Sequence, residues 1–322
     1  MKRLTKTVIL LWLMAALLPL QAGAQRLLIP VGRVIGLQLR DGQVTVAAYD
    51  EHFGQAAREA GIRIGDVIRE VDGEAVSSAE EVRQLLRYAG QTVSLTLRRN
   101  GRDHILTFVP GRGEEGARLG LYLKQGIAGI GTVTWYDPAT HTFGTLGHGV
   151  SSSRGELLAM TGGSVWQANI AGVRKGKPGE PGLLKGNITS ADSIGSLLKN
   201  TPQGVFGEYT PGWIGELLPV ADYSDVHTGQ AHIRSTIAGE DVQEYSVEIL
   251  KIYPEERRDS RNFLLKVTDP RLLEVTGGIV QGMSGSPIIQ DGKLVGAVTH
   301  VLVSDSTRGY GIFIGNMLDA AA

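Results

Sequence analysis

Residues 277–290 read GGIVQGMSGSPIIQ, and the segment Gly282-Met283-Ser284-Gly285-Ser286-Pro287 within them decides how the rest of the chain is interpreted. A plain glycine turn between two strands is one interpretation, because the flanking runs are apolar and strand-like. The other is a nucleophile. The glycines permit a tight turn that directs the backbone N–H groups of Gly282 and Ser284 to one place, forming an oxyanion hole beside the Ser284 hydroxyl.

A nucleophilic serine needs a base, usually a histidine whose tautomer is fixed by a carboxylate. The chain has seven histidines and no cysteine, which excludes a cysteine nucleophile, disulfides and thiolate metal sites. His148 stands out because it lies between two glycines at a predicted strand end, where other backbone and a substrate can approach. Alone, it would be interpreted as a turn histidine; together with Ser284 it is the candidate base.

Composition indicates a mainly β protein. The chain has 322 residues, of which 44 are glycine and only 6% aromatic, a balance that favours short strands and tight turns over helix bundles. A net charge of −1 without any long Lys/Arg run argues against nucleic acid as a partner. No His-Glu-x-x-His pattern or equivalent ligand cluster appears, so we predict neither a metal site nor a cofactor.

The N-terminus has the pattern of an export signal. Lys2, Arg3 and Lys6 precede an apolar run over residues 8–20 and the small residues Ala22-Gly23-Ala24. The run is shorter than the roughly 20 residues of a membrane-spanning helix, which favours cleavage over retention. We therefore predict that residues 1–26 are a signal peptide or membrane anchor and that the remainder is exported across the cytoplasmic membrane, secreted or tethered.

Residues 27–110 form a first unit that resembles a PDZ domain. The resemblance rests on residues 60–68 (AGIRIGDVI) with Asp72-Gly73, and on a capping box in which Ser78 and Glu81 open a helix over residues 79–89. A hairpin turn is predicted at Asp41-Gly42.

In a PDZ domain, the loop Val34-Ile35-Gly36-Leu37 would hold a peptide's terminal carboxylate with its backbone N–H groups. The peptide would add as a strand beside residues 37–39, against the helix. The alternative is a domain that packs on its neighbour and binds no peptide.

Residues 111–116 are predicted to be a glycine-rich linker, and residues 117–322 a second domain of short strands. Predicted strands in it are Thr132–Tyr136, Thr142–Thr145, Val165–Val173, Val247–Tyr253, Phe263–Val267, Gly278–Val280, Pro287–Gln290, Leu294–Leu302 and Tyr310–Ile314. Turns of Gly, Pro and Asp separate them, which suggests a closed or folded-over antiparallel architecture. Residues 174–185 are predicted to be an exposed loop.

The Gly282–Pro287 motif is similar to the nucleophile motif of chymotrypsin-like serine peptidases. A PDZ domain followed by Leu146-Gly147-His148-Gly149 and by residues 277–287 (GGIVQGMSGSP) resembles, more narrowly, the stage IV sporulation protein B peptidase family. The resemblance implies a PDZ domain followed by a double β-barrel peptidase domain. It also implies an exported or membrane-tethered serine endopeptidase that processes itself and cleaves a membrane-associated regulator during spore formation.

Matched to the family motifs, Ser284 is the nucleophile, His148 the general base and Asp269 the orienting carboxylate. Asp269 lies unusually close before the serine, because chymotrypsin-like enzymes usually place this aspartate far upstream. Other carboxylates lie between His148 and Ser284 and suit the general order better; they are Asp192, Asp222 and Asp225.

His300, in Gly296-Ala297-Val298-Thr299-His300, is predicted to line the substrate cleft and influence specificity, the alternative being an ordinary strand histidine. The expected partners are a protein substrate at or near a membrane and, at the PDZ domain, a peptide, a protein C-terminus or the chain itself. The PDZ domain would either hold the peptidase inactive until a peptide binds or deliver a segment into the cleft; the short linker favours regulation. A non-catalytic PDZ signalling adaptor with a degenerate peptidase domain is the alternative function.

Overall fold

The computed structural model describes residues 25–114, 116–152, 155–257 and 259–322, and the predicted signal segment lies outside these residues up to position 24. Strands make up 53% and helices 11%, which confirms the mainly β class. Within the described part of the chain, none of the helices has the length and apolar character needed to cross a membrane.

The first strands are β1 (Leu27–Pro30), β2 (Val34–Tyr49), β3 (Val67–Val71), β4 (Glu74–Ala75), β5 (Val93–Arg99), β6 (Arg102–Phe108), β7 (Gly111–Gly113) and β8 (Gly116–Arg118). The next are β9 (Leu121–Asp137), β10 (Thr142–Thr145), β11 (Gly162–Arg174), β12 (Leu183–Ile188), β13 (Gly195–Thr201), β14 (Gly204–Tyr209) and β15 (Leu218–Pro219). The last are β16 (Gly229–Thr236), β17 (Val242–Ile252), β18 (Phe263–Val267), β19 (Pro287–Gln290), β20 (Lys293–Val301) and β21 (Arg308–Phe313). The helices are α1 (Gly54–Glu59), α2 (Ala79–Arg87), α3 (Pro270–Thr276) and α4 (Ile314–Ala321), with a 3-10 turn at Tyr223–Asp225.

Two antiparallel barrels form the peptidase region. In the first, β9 pairs with β10, then β14, β13, β11 and β2 follow in order, and β2 returns to pair with β9. The second is a closed ring of β16, β17, β18, β21, β20 and β19. Closure leaves the strands with few free edges, and the apolar side chains fill the interiors. The predicted double-barrel architecture is confirmed.

The PDZ domain is built on β3, β5 and β6, which continue the sheet from the distal half of β2, with α1 and α2 packed on it. Its fully buried core includes Val44, Ile68 and Leu95. The predicted helix start is confirmed, because Ser78 Oγ accepts a hydrogen bond from Glu81 N at 3.1 Å. The helix ends at Arg87, two residues earlier than predicted.

The prediction for Val34-Ile35-Gly36-Leu37 is wrong. These residues lie in the first half of β2, where β9 pairs with one edge and β11 with the other. A strand hydrogen-bonded on both edges has no free N–H groups for a carboxylate. Asp41-Gly42 is a bulge rather than a hairpin turn, since β2 runs straight through it and both halves pair with β9.

The structure also differs from the predicted domain boundaries. Residues 111–118 contain the β7–β8 hairpin rather than a free linker, and Ala117 is buried in the PDZ core. The first half of β2, residues 34–39, belongs to the first barrel, while β9 begins in the PDZ domain and ends in the barrel. Residues 278–280, predicted as a strand, form part of the loop that leads to Ser284.

Candidate active site

The segment between α3 and β19, residues 277–286, carries Ser284, the predicted nucleophile, and is called the nucleophile loop below. Gly282 (φ +100°) and Gly285 (φ +96°) adopt backbone angles that disfavour other residues. A Cβ at Gly285 would also collide with the Thr132 carbonyl of β9. The two glycines of the motif are therefore needed for the shape of the turn and for its close approach to the first barrel.

Strand β9 holds this loop through three hydrogen bonds. Thr132 N donates to Ser284 O at 3.1 Å, and Thr132 Oγ1 donates to Gly282 O at 2.9 Å. Thr134 Oγ1 donates to Gly285 O at 2.8 Å. The loop that belongs to the second barrel is thus positioned by the first.

Two backbone donors beside Ser284 are unused. Met283 N and Gly285 N donate to Val280 O at 3.1 Å and Val298 O at 2.8 Å, but Gly282 N and Ser284 N have no hydrogen-bond acceptor among the described residues. Unpaired N–H groups that flank a serine hydroxyl are the arrangement required to stabilise an oxyanion. The oxyanion-hole assignment stays a prediction, and this geometry supports it.

The two serines of the motif have different environments. Ser286 is fully buried, and its Oγ donates to Ser235 Oγ at 3.0 Å. Ser284 is partly exposed, and its Oγ donates to Thr299 O at 2.6 Å. Ser284 is therefore the serine of the motif that a substrate can reach.

His148 lies in the turn that follows β10. Leu146 and Gly147 are both left-handed, with φ of +68° and +69°. A left-handed conformation costs a non-glycine residue such as Leu146 about 1–3 kcal/mol, and backbone strain of this kind is found most often at functional sites. A Cβ on Gly147 would lie 2.9 Å from Thr299 Cγ2, so this turn of the first barrel packs directly on β20 of the second.

The His148 ring is held as a neutral base. Its Nδ1 is 2.9 Å from Gly149 O, and because a carbonyl can only accept, Nδ1 carries the proton and Nε2 the lone pair. Burial lowers the pKa of His148 below its usual 6.5, and the Gly149 hydrogen bond only partly opposes this. At neutral pH the imidazole is uncharged, as a general base must be.

His300 follows Thr299 at the end of β20 and stands next to His148. The two ring centroids are 5.0 Å apart and the planes are inclined by 38°. His300 Nδ1 is buried without a hydrogen-bond partner within the described residues. Burial, and then the neighbouring His148 and Arg261, lower the pKa of His300 to about 4.

The structure does not bring Asp269 to His148. Asp269 caps the N-terminus of α3: its carboxylate accepts hydrogen bonds from Arg271 N at 2.9 Å and Ser246 N at 3.3 Å, and it pairs with the Arg271 guanidinium at 2.9 Å. The Arg271 hydrogen bond lowers the pKa of Asp269 to about 2. No hydrogen bond joins it to His148, the predicted base, in the described part of the chain.

The other candidate carboxylates lie elsewhere. Asp192 is in an exposed loop next to Ser190, and Asp222 and Asp225 cap the 3-10 turn, where Asp225 pairs with Lys293 at 2.9 Å. None of the three hydrogen-bonds to His148 in the described residues.

Asn200 on β13 is a site residue that sequence reasoning missed. Its Oδ1 accepts from Val150 N at 2.9 Å, while its Nδ2 donates to Val150 O at 2.8 Å and Leu158 O at 2.9 Å. It thereby fixes the chain that leaves His148. A lone asparagine near a strand end gives no signal from which this role could have been predicted.

A groove of about 430 Å³ lies on the PDZ domain between α2 and the start of β9. Val82, Arg83 and Leu86 of α2 line one wall, and residues 119–123 line the other. At Leu121–Gln125, β9 pairs with β2 on one edge, and the edge towards α2 has no strand partner among the described residues. This groove, rather than Val34–Leu37, has the open strand edge and helix wall that an added peptide strand requires.

Ser284 contacts Thr299 and His148 contacts His300, so both candidate residues lie beside the same end of β20 where the barrels meet, although no hydrogen bond joins them in the described residues. The double barrel with these two residues defines a serine peptidase of the chymotrypsin-like class. The chain belongs to the SpoIVB peptidase S55 family, whose model matches residues 115–318, more than half of it. A PDZ domain model matches residues 52–99.

Curated and solved proteins add more distant similarities. The chain is 32% identical over 108 residues to a protein of Agrobacterium fabrum provisionally named zinc metalloprotease Atu1380, spanning only 28% of that protein's length. A crystal structure of the Rv3671c protease in an inactive form has 12% identity and a TM-score of 0.34, covering 61% of this chain and 85% of that one. A serine-to-alanine mutant of Rv3671c from M. tuberculosis H37Rv gives 13% identity and a TM-score of 0.32, covering 61% and 82%. No cluster of three or more potential metal ligands occurs in the residues that the structure describes.

Proposed function

We propose that this serine peptidase is exported, processes itself and cleaves a membrane-associated regulatory protein in sporulation signalling, with its PDZ domain controlling activity or targeting. The observation that carries the catalytic part is the partly exposed Ser284 hydroxyl flanked by the unpaired N–H groups of Gly282 and Ser284. Family membership supports the peptidase class. The export, sporulation and self-processing roles rest on the N-terminal sequence pattern and on the resemblance.

The shared strands support control by the PDZ domain. The edge of β9 at Leu121–Leu123 lines the groove, and Thr132 of the same strand holds the nucleophile loop. A peptide that adds to this edge would constrain the strand that positions Ser284. Because β2 and β9 belong to both domains, removing residues before 111 would open the first barrel, so point substitutions are the appropriate test.

The catalytic part is tested by comparing the wild-type chain with Ser284→Ala. Wild type should react with a fluorophosphonate probe and yield N-terminal fragments, detected by mass spectrometry, that the variant lacks. Identical fragments from both proteins would show that Ser284 does not cut its own chain, and the self-processing part of the proposal would be wrong. Wild-type sporulation in cells that carry Ser284→Ala, measured as heat-resistant spores, would favour the non-catalytic adaptor.

The PDZ part is tested by filling the groove. Ala79 lines it and is partly buried, so Ala79→Trp should abolish binding of C-terminal peptides selected from a library. Glu80→Trp, on the neighbouring exposed residue outside the groove, is the matched control. If both variants change the fluorophosphonate reaction rate equally, the groove does not control the peptidase.

A further inference from the structure

We propose that Ile279 and Val301 fill the pocket beside Ser284 that receives a substrate side chain, so that the peptidase cuts after small, uncharged residues. The inference deepens the catalytic part of the proposed function and rests on it, but it does not depend on the sporulation or PDZ proposals. It names the residues that determine which peptide bond is cut.

The position of this pocket follows from the atoms around Ser284. The carbonyl that Ser284 attacks would direct its oxygen to Gly282 N and Ser284 N, which have no hydrogen-bond acceptor among the described residues. The side chain of that substrate residue then lies between the nucleophile loop and the end of β20, because Thr299 O on β20 is 2.6 Å from Ser284 Oγ. In the chymotrypsin-like class, this pocket selects the residue before the cut bond.

One wall of the pocket is formed by the end of β20 and the start of β21. Val301 on β20 lies directly opposite Gly309 on β21, and directly paired residues project from the same face of a sheet. Val301 comes two residues after Thr299, about 7 Å further along the strand. Because Gly309 has no side chain, Val301 and the group that covers Gly309 determine how much space this face leaves.

Ile279 of the nucleophile loop is the group that covers Gly309. A Cβ on Gly309 would lie 2.6 Å from Ile279 Cδ1, and only 3% of Ile279 is exposed. The loop is fixed there, since Ile279 N donates to Ser306 O at 2.8 Å and a Cβ on Gly278 would collide with the same carbonyl. The two walls are thus packed against each other, and a large substrate side chain such as Phe would have to displace one of them.

The groups that form the pocket are apolar. Ile279 and Val301 carry only hydrocarbon, and Gly309 has no side chain. Asp305 and Arg308, the charged residues before Gly309, pair with each other at 3.3 Å. Arg308 precedes Gly309 on β21 and therefore projects from the opposite face. A substrate Lys or Asp side chain in the pocket would be a buried charge without a partner, which is costly.

His300 lies on the other face of β20. Neighbouring residues of a strand alternate in direction, so Val301 is directed towards Gly309 and Ile279 while His300 is not. The His300 ring instead contacts the His148 ring, with centroids 5.0 Å apart. Any influence of His300 on specificity would therefore concern a different part of the substrate.

The test labels the full chain with peptidyl diphenyl phosphonates that differ only in the residue attached to phosphorus, which is Ala, Phe or Lys. A fluorophosphonate, which has no such residue, reports whether Ser284 is reactive at all. The Ala probe should label wild type at least about 10-fold faster than the Phe and Lys probes, because a single methylene that does not fit a hydrophobic pocket already costs about 10- to 200-fold.

Ile279→Ala removes the side chain that covers Gly309, and the ratio of the Phe to the Ala labelling rate should rise about 10- to 100-fold. Ile249→Ala is the matched control, at a fully buried position of β17 between β16 and β18, and should leave the ratio unchanged. Thermal melting shows whether each variant is folded. If Ile279→Ala does not fold, Val301→Ala at a partly exposed position replaces it, with an expected rise of about 3- to 10-fold.

The outcomes separate this proposal from the catalytic one. A chain that reacts with the fluorophosphonate but shows no preference for the Ala probe overturns the pocket proposal alone, as does a folded Ile279→Ala or Val301→Ala with the wild-type ratio. An equal rise in Ile249→Ala would also overturn it, because any loosening of the second barrel would then admit Phe. A chain that the fluorophosphonate does not label overturns both proposals.

Discussion

Asp269→Asn separates a structural carboxylate from a catalytic one. Arg271 and the backbone donors of α3 lower the pKa of Asp269 from 3.8 to about 2. This lowering of the pKa corresponds to about 2–2.5 kcal/mol of stability. Asparagine is as good an N-cap as aspartate, so the substitution removes the charge and keeps the cap.

The sign of the pH dependence follows from the lowered value. A carboxyl group with a depressed folded-state pKa stabilises the fold above its unfolded value of 3.8 and loses that contribution as the pH falls through about 2. Asp269→Asn should therefore be about 2 kcal/mol less stable than wild type at pH 7, equivalent to about 4–8 °C in melting temperature. The difference should shrink between pH 4 and pH 2.

Urea unfolding at pH 7, 4 and 3 measures the difference, and Asp192→Asn, at an exposed loop position, is the control expected to change stability by less than about 0.5 kcal/mol. The reasoning is refuted if Asp269→Asn unfolds like wild type at pH 7 while Ser284 labelling collapses. That combination would mean that the carboxylate serves His148 rather than α3.

Three further predictions test the site and the PDZ core. Thr132→Val removes the hydroxyl that donates to Gly282 O at 2.9 Å. Because the carbonyl beside the predicted oxyanion hole then lacks a donor, we expect fluorophosphonate labelling of Ser284 to slow about 10-fold. An unchanged labelling rate would mean that this hydrogen bond from β9 does not position the nucleophile loop for reaction. Arg99→Leu leaves Asp66, which is only 1% exposed, as a buried charge without its ion-pair partner. Hydrogen exchange should then show that the free energy protecting the PDZ amides falls by about 3–5 kcal/mol. Unchanged protection would mean that water already screens the ion pair. Because burial lowers the pKa of His148, labelling should rise with pH through a midpoint below 6.5, and a midpoint above 7 would contradict the neutral-base geometry.

Local chemistry made part of the site predictable. The turn at residues 282–287 needs glycine at two positions whatever surrounds it, so the motif alone predicted a shape that the structure shows. The start of α2 at Ser78 is also a local hydrogen-bond pattern. The same reasoning could have assigned Asp269, because an aspartate followed by proline is a helix-start signal that competes with the catalytic interpretation.

Features that depend on which strands become neighbours were not predictable. Val34–Leu37 has the apolar alternation of a strand, and nothing in its own sequence says whether its edges are open or paired with β9 and β11. The glycine-rich segment 111–116 suggests a linker. In the structure it belongs to a hairpin that packs through Ala117 on α2, a helix about 30 residues earlier in the chain. The contact between the His148 and His300 rings likewise arises only when the first barrel docks on β20.

Two strands, β2 and β9, belong to both domains and connect the PDZ groove to the active site. Binding of a PDZ ligand could affect the active site through them. About nine residues separate the groove edge at Leu123 from Thr132, or about 30 Å of extended chain. Both strands bulge at the same level, β2 at Gly42 and β9 at Gly126, where the pairing register shifts between Leu39 and Val44. Bulges bend and twist a strand without breaking it, so motion of the PDZ domain would turn about this level. A docked peptide would then control the peptidase through a small change in the direction of β9 and in the hydrogen bonds that Thr132 makes to the nucleophile loop. It would not need to separate two domains joined by a flexible linker.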